Sequence, residues 1–153
     1  MPNYKGHLIG GAVAFAIVIC FIFNNNVNFI TGLEWLCFTL LGSLFPDIDI
    51  KSKGQKIFYK VLFCVLIFLA FKKQLSAIAL ISLLSFIPLL VRHRGMCHQL
   101  WFVITVPFAV AVCCNLFFPH YYSIILWDAI FFTVGAISHL WLDVGFRRMV
   151  RIR

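Results

Sequence analysis

At 153 residues, with 63% hydrophobic and only 12% charged residues, the chain is far more apolar than a soluble domain, where about half the residues are apolar and about a quarter charged. That excludes an ordinary soluble globular protein and leaves no room for a second, soluble domain, because each membrane crossing takes on the order of 20 residues. The net charge of +8 fits loops facing the cytoplasm and does not call for a nucleic-acid partner.

Apolar runs between polar breaks predict six helices, at about 8–23, 29–45, 57–71, 75–91, 100–118 and 123–143. The expected fold is all-α, a polytopic membrane helix bundle of about six spans forming one domain over 1–153. The first run, behind Lys5, has the outline of a signal peptide, but Asn24-Asn25-Asn26 offers no small-residue processing site, so the segment and His7 before it are expected to be retained. The second run ends at Phe45-Pro46-Asp47-Ile48-Asp49, where proline should stop the helix and leave both aspartates on a non-helical turn. The third and fourth runs are short and joined by Lys72-Lys73-Gln74; as a hairpin they return the chain to its original side whether or not they cross completely. His93-Arg94-Gly95-Met96-Cys97-His98 precedes the fifth run. The sixth carries His139 and Asp143 four residues apart, on one helix face.

Lysine and arginine set the orientation. Lys5, Lys51, Lys53, Lys56, Lys60, Arg92, Arg94, Arg147, Arg148, Arg151 and Arg153 fall on one side and only Lys72 and Lys73 on the other, so both termini are expected in the cytoplasm. Trp35, Trp127, Tyr121 and Tyr122 fit an aromatic belt at the outer boundary, where Glu34, Asp128 and His120 also read as interfacial groups. The six cysteines form no CxxC pair, and five lie inside apolar runs, so no disulfide framework is implied.

The chemistry is confined to few residues. His7, Asp47, Asp49, His93, His98, His139 and Asp143 come from four separate stretches, and the predicted topology brings all of them to the cytoplasmic level. Ionisable groups at a bilayer cost several kcal/mol unless they are paired or bound. Two neighbouring aspartates repel unless a cation lies between them, and imidazole is the commonest metal ligand. The seven are therefore candidate metal ligands for a divalent ion, zinc or manganese favoured, with one or two ions bound. Seven donors exceed one zinc's needs, which leaves His98 and Asp143 available for acid–base work. Arg94 is suited to holding a phosphoryl or carbonyl oxygen. Cys97, a possible soft ligand, reads better as a packed thiol.

Gly6-His7, Pro46-Asp47-Ile48-Asp49, His93-Arg94-Gly95-Met96-Cys97-His98 and Ser138-His139 through Asp143 together resemble the YdjM-like family of inner-membrane metal-dependent hydrolases. That family's pattern is an early Gly-His, a Pro-Asp-x-Asp loop, an H-R-G-x-x-H loop and an S-H-x-x-x-D helix, in the same order and over nearly the whole chain. The family often has His where this chain has Ile50, and Thr-His-Ser where it has Cys97-His98-Gln99, which leaves one ligand fewer or a place for Cys97. The resemblance implies a multi-pass inner-membrane hydrolase. A site at headgroup depth would suit membrane lipid, with a phosphorylated lipid or isoprenoid as substrate. A metal- or proton-coupled transporter is the alternative, disfavoured by the scarcity of polar residues leading to the other face. The sequence leaves the oligomeric state open.

Overall fold

The computed structural model describes residues 3–22, 27–49, 53–71, 82 and 97–145. Among these the structure is entirely helical, with five α-helices and two short 3-10 turns: α1 (Tyr4–Ile22), α2 (Phe29–Leu44), a turn over Phe45–Asp49, α3 (Lys53–Phe71), α4 (Leu100–Phe117), a turn over Pro119–Tyr121, and α5 (Tyr122–Val144). Among the described residues, three stretches are long and apolar enough to cross a membrane, Tyr4–Phe21, Phe29–Ile48 and Pro119–Asp143, and Leu100–Leu116 is a shorter apolar helix. The expected helix over 75–91 lies outside the described residues apart from Ser82.

Two starts differ from the sequence reading. The first helix begins at Tyr4 rather than at residue 8, so His7 sits inside its first turn; Gly6 and His7 both donate their backbone N–H to the Asn3 carbonyl. The third begins at Lys53 rather than 57, because its lysines can reach past the apolar stretch to water while their stems stay on the helix. The expected non-helical segment after α2 is instead a tight 3-10 turn. Pro46 contributes no N–H and its fixed φ is compatible with helix in a first turn, and the Phe45 N–H bonds back to the Gly42 carbonyl.

Contacts between α2 and α5 rise together along both helices: Trp35 stacks on Phe131, Gly135 meets Thr39 and His139 meets Ser43. The two helices therefore run in the same direction. Contacts of α1 with α5 run oppositely, from His7 at Asp143 through Gly10 at Leu142 to Phe15 at Phe131. α4 does likewise, since His98 just ahead of it meets Asp143 and Val103 packs with Ala136 and Leu140. The starts of α1 and α4 and the ends of α2 and α5 thus share one end of the bundle.

Small residues make this packing possible. A Cβ on Gly135 would lie 1.9 Å from the Thr39 carbonyl oxygen, and one on Gly42 would lie 1.9 Å from the Phe132 carbonyl oxygen, so α2 and α5 touch backbone to backbone. Gly11 lets α1 in against Ser43. Apolar side chains give little driving force between helices in lipid, and close approach of this kind is how membrane helices gain dispersion contacts. Ile9, Val13, Ile17 and Phe21, spaced by four on α1, are exposed, as a lipid-facing stripe would be. Trp35 departs from the expected outer belt: it is buried, stacked on Phe131 at 4.7 Å, because α5 covers it.

Candidate metal centre

The four helix ends that meet at one end of the bundle each deliver a polar side chain. His7 comes from the first turn of α1, Asp47 from the turn after α2, His98 from just before α4, and His139 and Asp143 from the last turns of α5. Asp47 is fixed by its neighbours. Ile48 is fully buried with Phe45, Cys97 and Phe102, which leaves Asp47 facing the other way, and Gln55 from α3 donates to the Ile48 carbonyl at 2.8 Å.

Asp47, His98, His139 and Asp143 each place one donor atom within 4.8 Å of the others. His139 Nε2 lies 3.2 Å from Asp143 Oδ2 and 3.6 Å from Asp47 Oδ1, and His98 Nε2 lies 3.7 and 3.8 Å from the same two oxygens. Most of these separations are too long for hydrogen bonds. They lie near the edge of a tetrahedron whose corners sit about 2.0–2.1 Å from a central ion, which is roughly 3.4 Å.

The imidazole of His139 carries the strongest sign of what the cluster can hold. Its Nδ1 is 2.7 Å from the Ser43 carbonyl, and because a carbonyl can only accept, the proton belongs on Nδ1. Ser43 is in the last turn of α2, where carbonyls have no partner within their own helix. Nε2 is then a bare lone pair, buried and without a hydrogen bond, aimed at two carboxylate oxygens. Lone pair facing lone pair at so buried a nitrogen is repulsive until a cation sits between them. A histidine whose far nitrogen donates to a carbonyl is also the usual arrangement of a metal-ligating imidazole. Two nitrogen and two oxygen donors suit a divalent metal ion.

His7 stands beside this group rather than in it. Its ring is fully buried and stacks on His139 at 3.8 Å, and its Nε2 is 3.5 Å from Asp143 Oδ1, the oxygen turned away from His139 and His98. It borders the cluster through Asp143. Cys97 does not join: its side chain is buried in the apolar cluster with Phe45 and Phe102, as the packed-thiol reading expected. The Asp49 side chain, His93 and Arg94 lie outside the described residues. Asp128, read from sequence as interfacial, is instead buried.

The residues that sequence reasoning missed are those that assemble the site: Thr39, Gly42 and Ser43 on α2 and Gly135 on α5. Their signal was present as small residues at spacings of three and four on two apolar helices.

The chain matches the family described as YdjM inner membrane protein over residues 1–151. It belongs to that family. Neither a curated protein nor a solved structure matches it. Family membership and the long apolar helices together make it a membrane protein. In this YdjM family member the His/Asp group that can hold a metal is drawn from three separate stretches of the chain, with a fourth supplying the abutting His7.

Proposed function

We propose that this chain is a metal-dependent hydrolase of the inner membrane, working at the cytoplasmic face on a phosphoester, with a phosphorylated lipid or isoprenoid as substrate. The observation that carries the reading is the convergence of Asp47, His98, His139 and Asp143 within 4.8 Å, with His139 held by the Ser43 carbonyl so that its free nitrogen points inward. The eleven-to-two distribution of Lys and Arg supports a six-span bundle with that end, and both termini, facing the cytoplasm.

These four residues would hold the ion, and a bound divalent ion supplies Lewis-acid polarisation of a phosphoryl oxygen and an activated water near neutral pH. Asp143 and His139 are almost inaccessible, whereas the Asp47 and His98 side chains are 24% and 17% exposed, so substrate approaches on their side. Asp47 and His98 are thereby the ion-holding residues nearest the incoming phosphoryl group. Asp143 lies between His7 and His139, while the Ser43 carbonyl fixes the direction of the His139 ring. Arg94, four residues before His98, supplies positive charge for the phosphoryl group. Exposed Trp101 and Trp141 on α4 and α5 sit at the levels of His98 and His139, as side chains at a headgroup boundary do, which supports a substrate arriving laterally from the membrane.

Metal analysis of the detergent-purified chain, beside His98→Ala and Asp49→Ala, tests the centre. Stoichiometric metal in the parent and its loss in His98→Ala support it, and the Asp49 variant reports whether that residue joins the ligands. Trace metal that is the same in all three refutes it. Phosphate release from lipid phosphates by the metal-loaded protein then separates the hydrolase from a transporter.

A further inference from the structure

α3 carries three lysines, Lys53, Lys56 and Lys60, and all three are exposed. Their spacing puts them on one face of the helix, and Phe63, Ile67 and Phe71 continue that face, the six falling within a sector of about 80°. These three apolar side chains are exposed as well. The packed face is the opposite one: Gly54 is buried, Gln55 donates to the Ile48 carbonyl, and Phe58 and Tyr59 lie against the cluster of Phe45, Ile48, Cys97 and Phe102. The exposed stripe is therefore directed away from the rest of the chain. α3 has no acidic residue, and among the described residues no carboxylate pairs with these lysines.

The order of residues along the stripe says what covers it. A helix lying flat on a membrane separates charged from apolar residues by face. Here the two share a face and separate along the axis, as on a helix running into the membrane from a cationic end. That end lies beside the turn carrying Asp47, since Gln55 in the first turn of α3 bonds to the Ile48 carbonyl. Lys53 and Lys60 are roughly 10 Å apart along the axis, a gap that two flexible lysine side chains can close on one headgroup. Lys60 to Phe71 is roughly 16 Å, about half of a hydrocarbon core of about 30 Å, the depth of one leaflet. Water would satisfy the ammonium groups but not Phe63, Ile67 and Phe71. An anionic lipid satisfies both.

We propose that this face of α3 is a docking site for one anionic phospholipid, its phosphate held by Lys53, Lys56 and Lys60 and its acyl chains laid along Phe63, Ile67 and Phe71. The site needs neither the metal nor hydrolysis, and it stands on the far side of α3 from the turn that carries Asp47.

The test is native mass spectrometry of the full chain in neutral detergent, titrated with phosphatidylglycerol or phosphatidylcholine, with melting temperatures measured in parallel. The parent should retain phosphatidylglycerol in preference to phosphatidylcholine and melt higher in its presence. Each lysine at a charged lipid contributes roughly fivefold in affinity, so changing all three to Gln should weaken phosphatidylglycerol about tenfold or more, whereas changing all three to Arg should keep it. All three positions are exposed, so the Gln variant should melt with the parent when only phosphatidylcholine is present. Equal retention of the two lipids by the parent overturns the proposal, as does undiminished phosphatidylglycerol on the triple Gln variant. An equal loss caused by Lys72→Gln with Lys73→Gln also overturns it, because binding would then follow net charge and not this face. So does a cross-linked dimer that Cys64→Ser abolishes: Cys64 is exposed on the same stripe, and the face would then belong to a second copy of the chain.

Discussion

Gly135→Ala tests the link between helix packing and the metal centre with a single methyl group. The added Cβ would lie 1.9 Å from the Thr39 carbonyl oxygen and 2.8 Å from the Ser43 nitrogen, all backbone atoms with no rotamer to change. Real Cβ atoms keep at least 3.0 Å, so α2 and α5 must separate by about 1.1 Å or more locally. Overpacking of this kind costs about 1–3 kcal/mol. One turn further along, the same displacement stretches the 2.7 Å contact between the Ser43 carbonyl and His139 Nδ1 to near 3.8 Å by the same ~1.1 Å, beyond hydrogen-bond range. Asp47, carried on the turn that ends α2, moves away with Ser43. Loss of such a supporting bond lowers metal affinity by about 10–100-fold. The assay is metal content after dialysis against graded free zinc or manganese, with thermal unfolding measured on the same sample. A Gly135→Ala protein that unfolds as the parent does and keeps its metal would refute the claim that backbone contact sets the site. Ser43→Ala is the control: only the Ser43 backbone carbonyl reaches His139, and its hydroxyl bonds to Leu40, so metal content should be unchanged.

Chelation is expected to lower the melting temperature of the parent by about 5–10 °C, since an ion at 100 times its dissociation constant contributes about 2.7 kcal/mol; His139→Ala should show no response to the chelator. Cys97→Ala should cost about 1 kcal/mol by leaving a small void among Phe45, Ile48 and Phe102, while bound metal stays stoichiometric; loss of metal would restore the thiol as a ligand. Gln55→Ala removes the bond to the Ile48 carbonyl and should cost about 1 kcal/mol, with a several-fold weaker metal affinity because the turn carrying Asp47 loosens; unaltered affinity would show that the apolar burial of Ile48 suffices.

Much of the centre was legible because ionisable residues are scarce in so apolar a chain. Once the runs of hydrophobic residues were counted and the lysines and arginines assigned to sides, His7, Asp47, His98, His139 and Asp143 had to share one level, and the structure joins them there. What the level could not give was proximity within it. Nothing in a hydropathy pattern separates His7, which abuts Asp143 from α1, from His98, which points into the group. Nor could it show that Asp128, near the outer boundary by residue count, is buried. The helix starts moved for a simpler reason: hydropathy marks where apolar side chains begin, whereas Tyr4 to His7 and Lys53 to Lys56 are polar residues that extend a helix past that point.

The packing and the chemistry are written in the same residues. Gly135 and His139 are four apart and share a face of α5, so the position that admits α2 to backbone contact lies directly beneath the imidazole that needs an acceptor. On α2, Thr39 meets that glycine and Ser43, again four residues on, presents the carbonyl. Two helices running in the same direction keep this register over successive turns, so closing the contact at Thr39 brings the unpaired carbonyls at the end of α2 to the level of His139. An antiparallel partner would bring the start of a helix there instead, with N–H groups where His139 needs an acceptor. The parallel pairing of α2 and α5 is thus a condition for a donor-set histidine at this end. The antiparallel α1 and α4 can then bring in His7 from the first turn of α1 and His98 from just before α4 without competing for the same backbone groups.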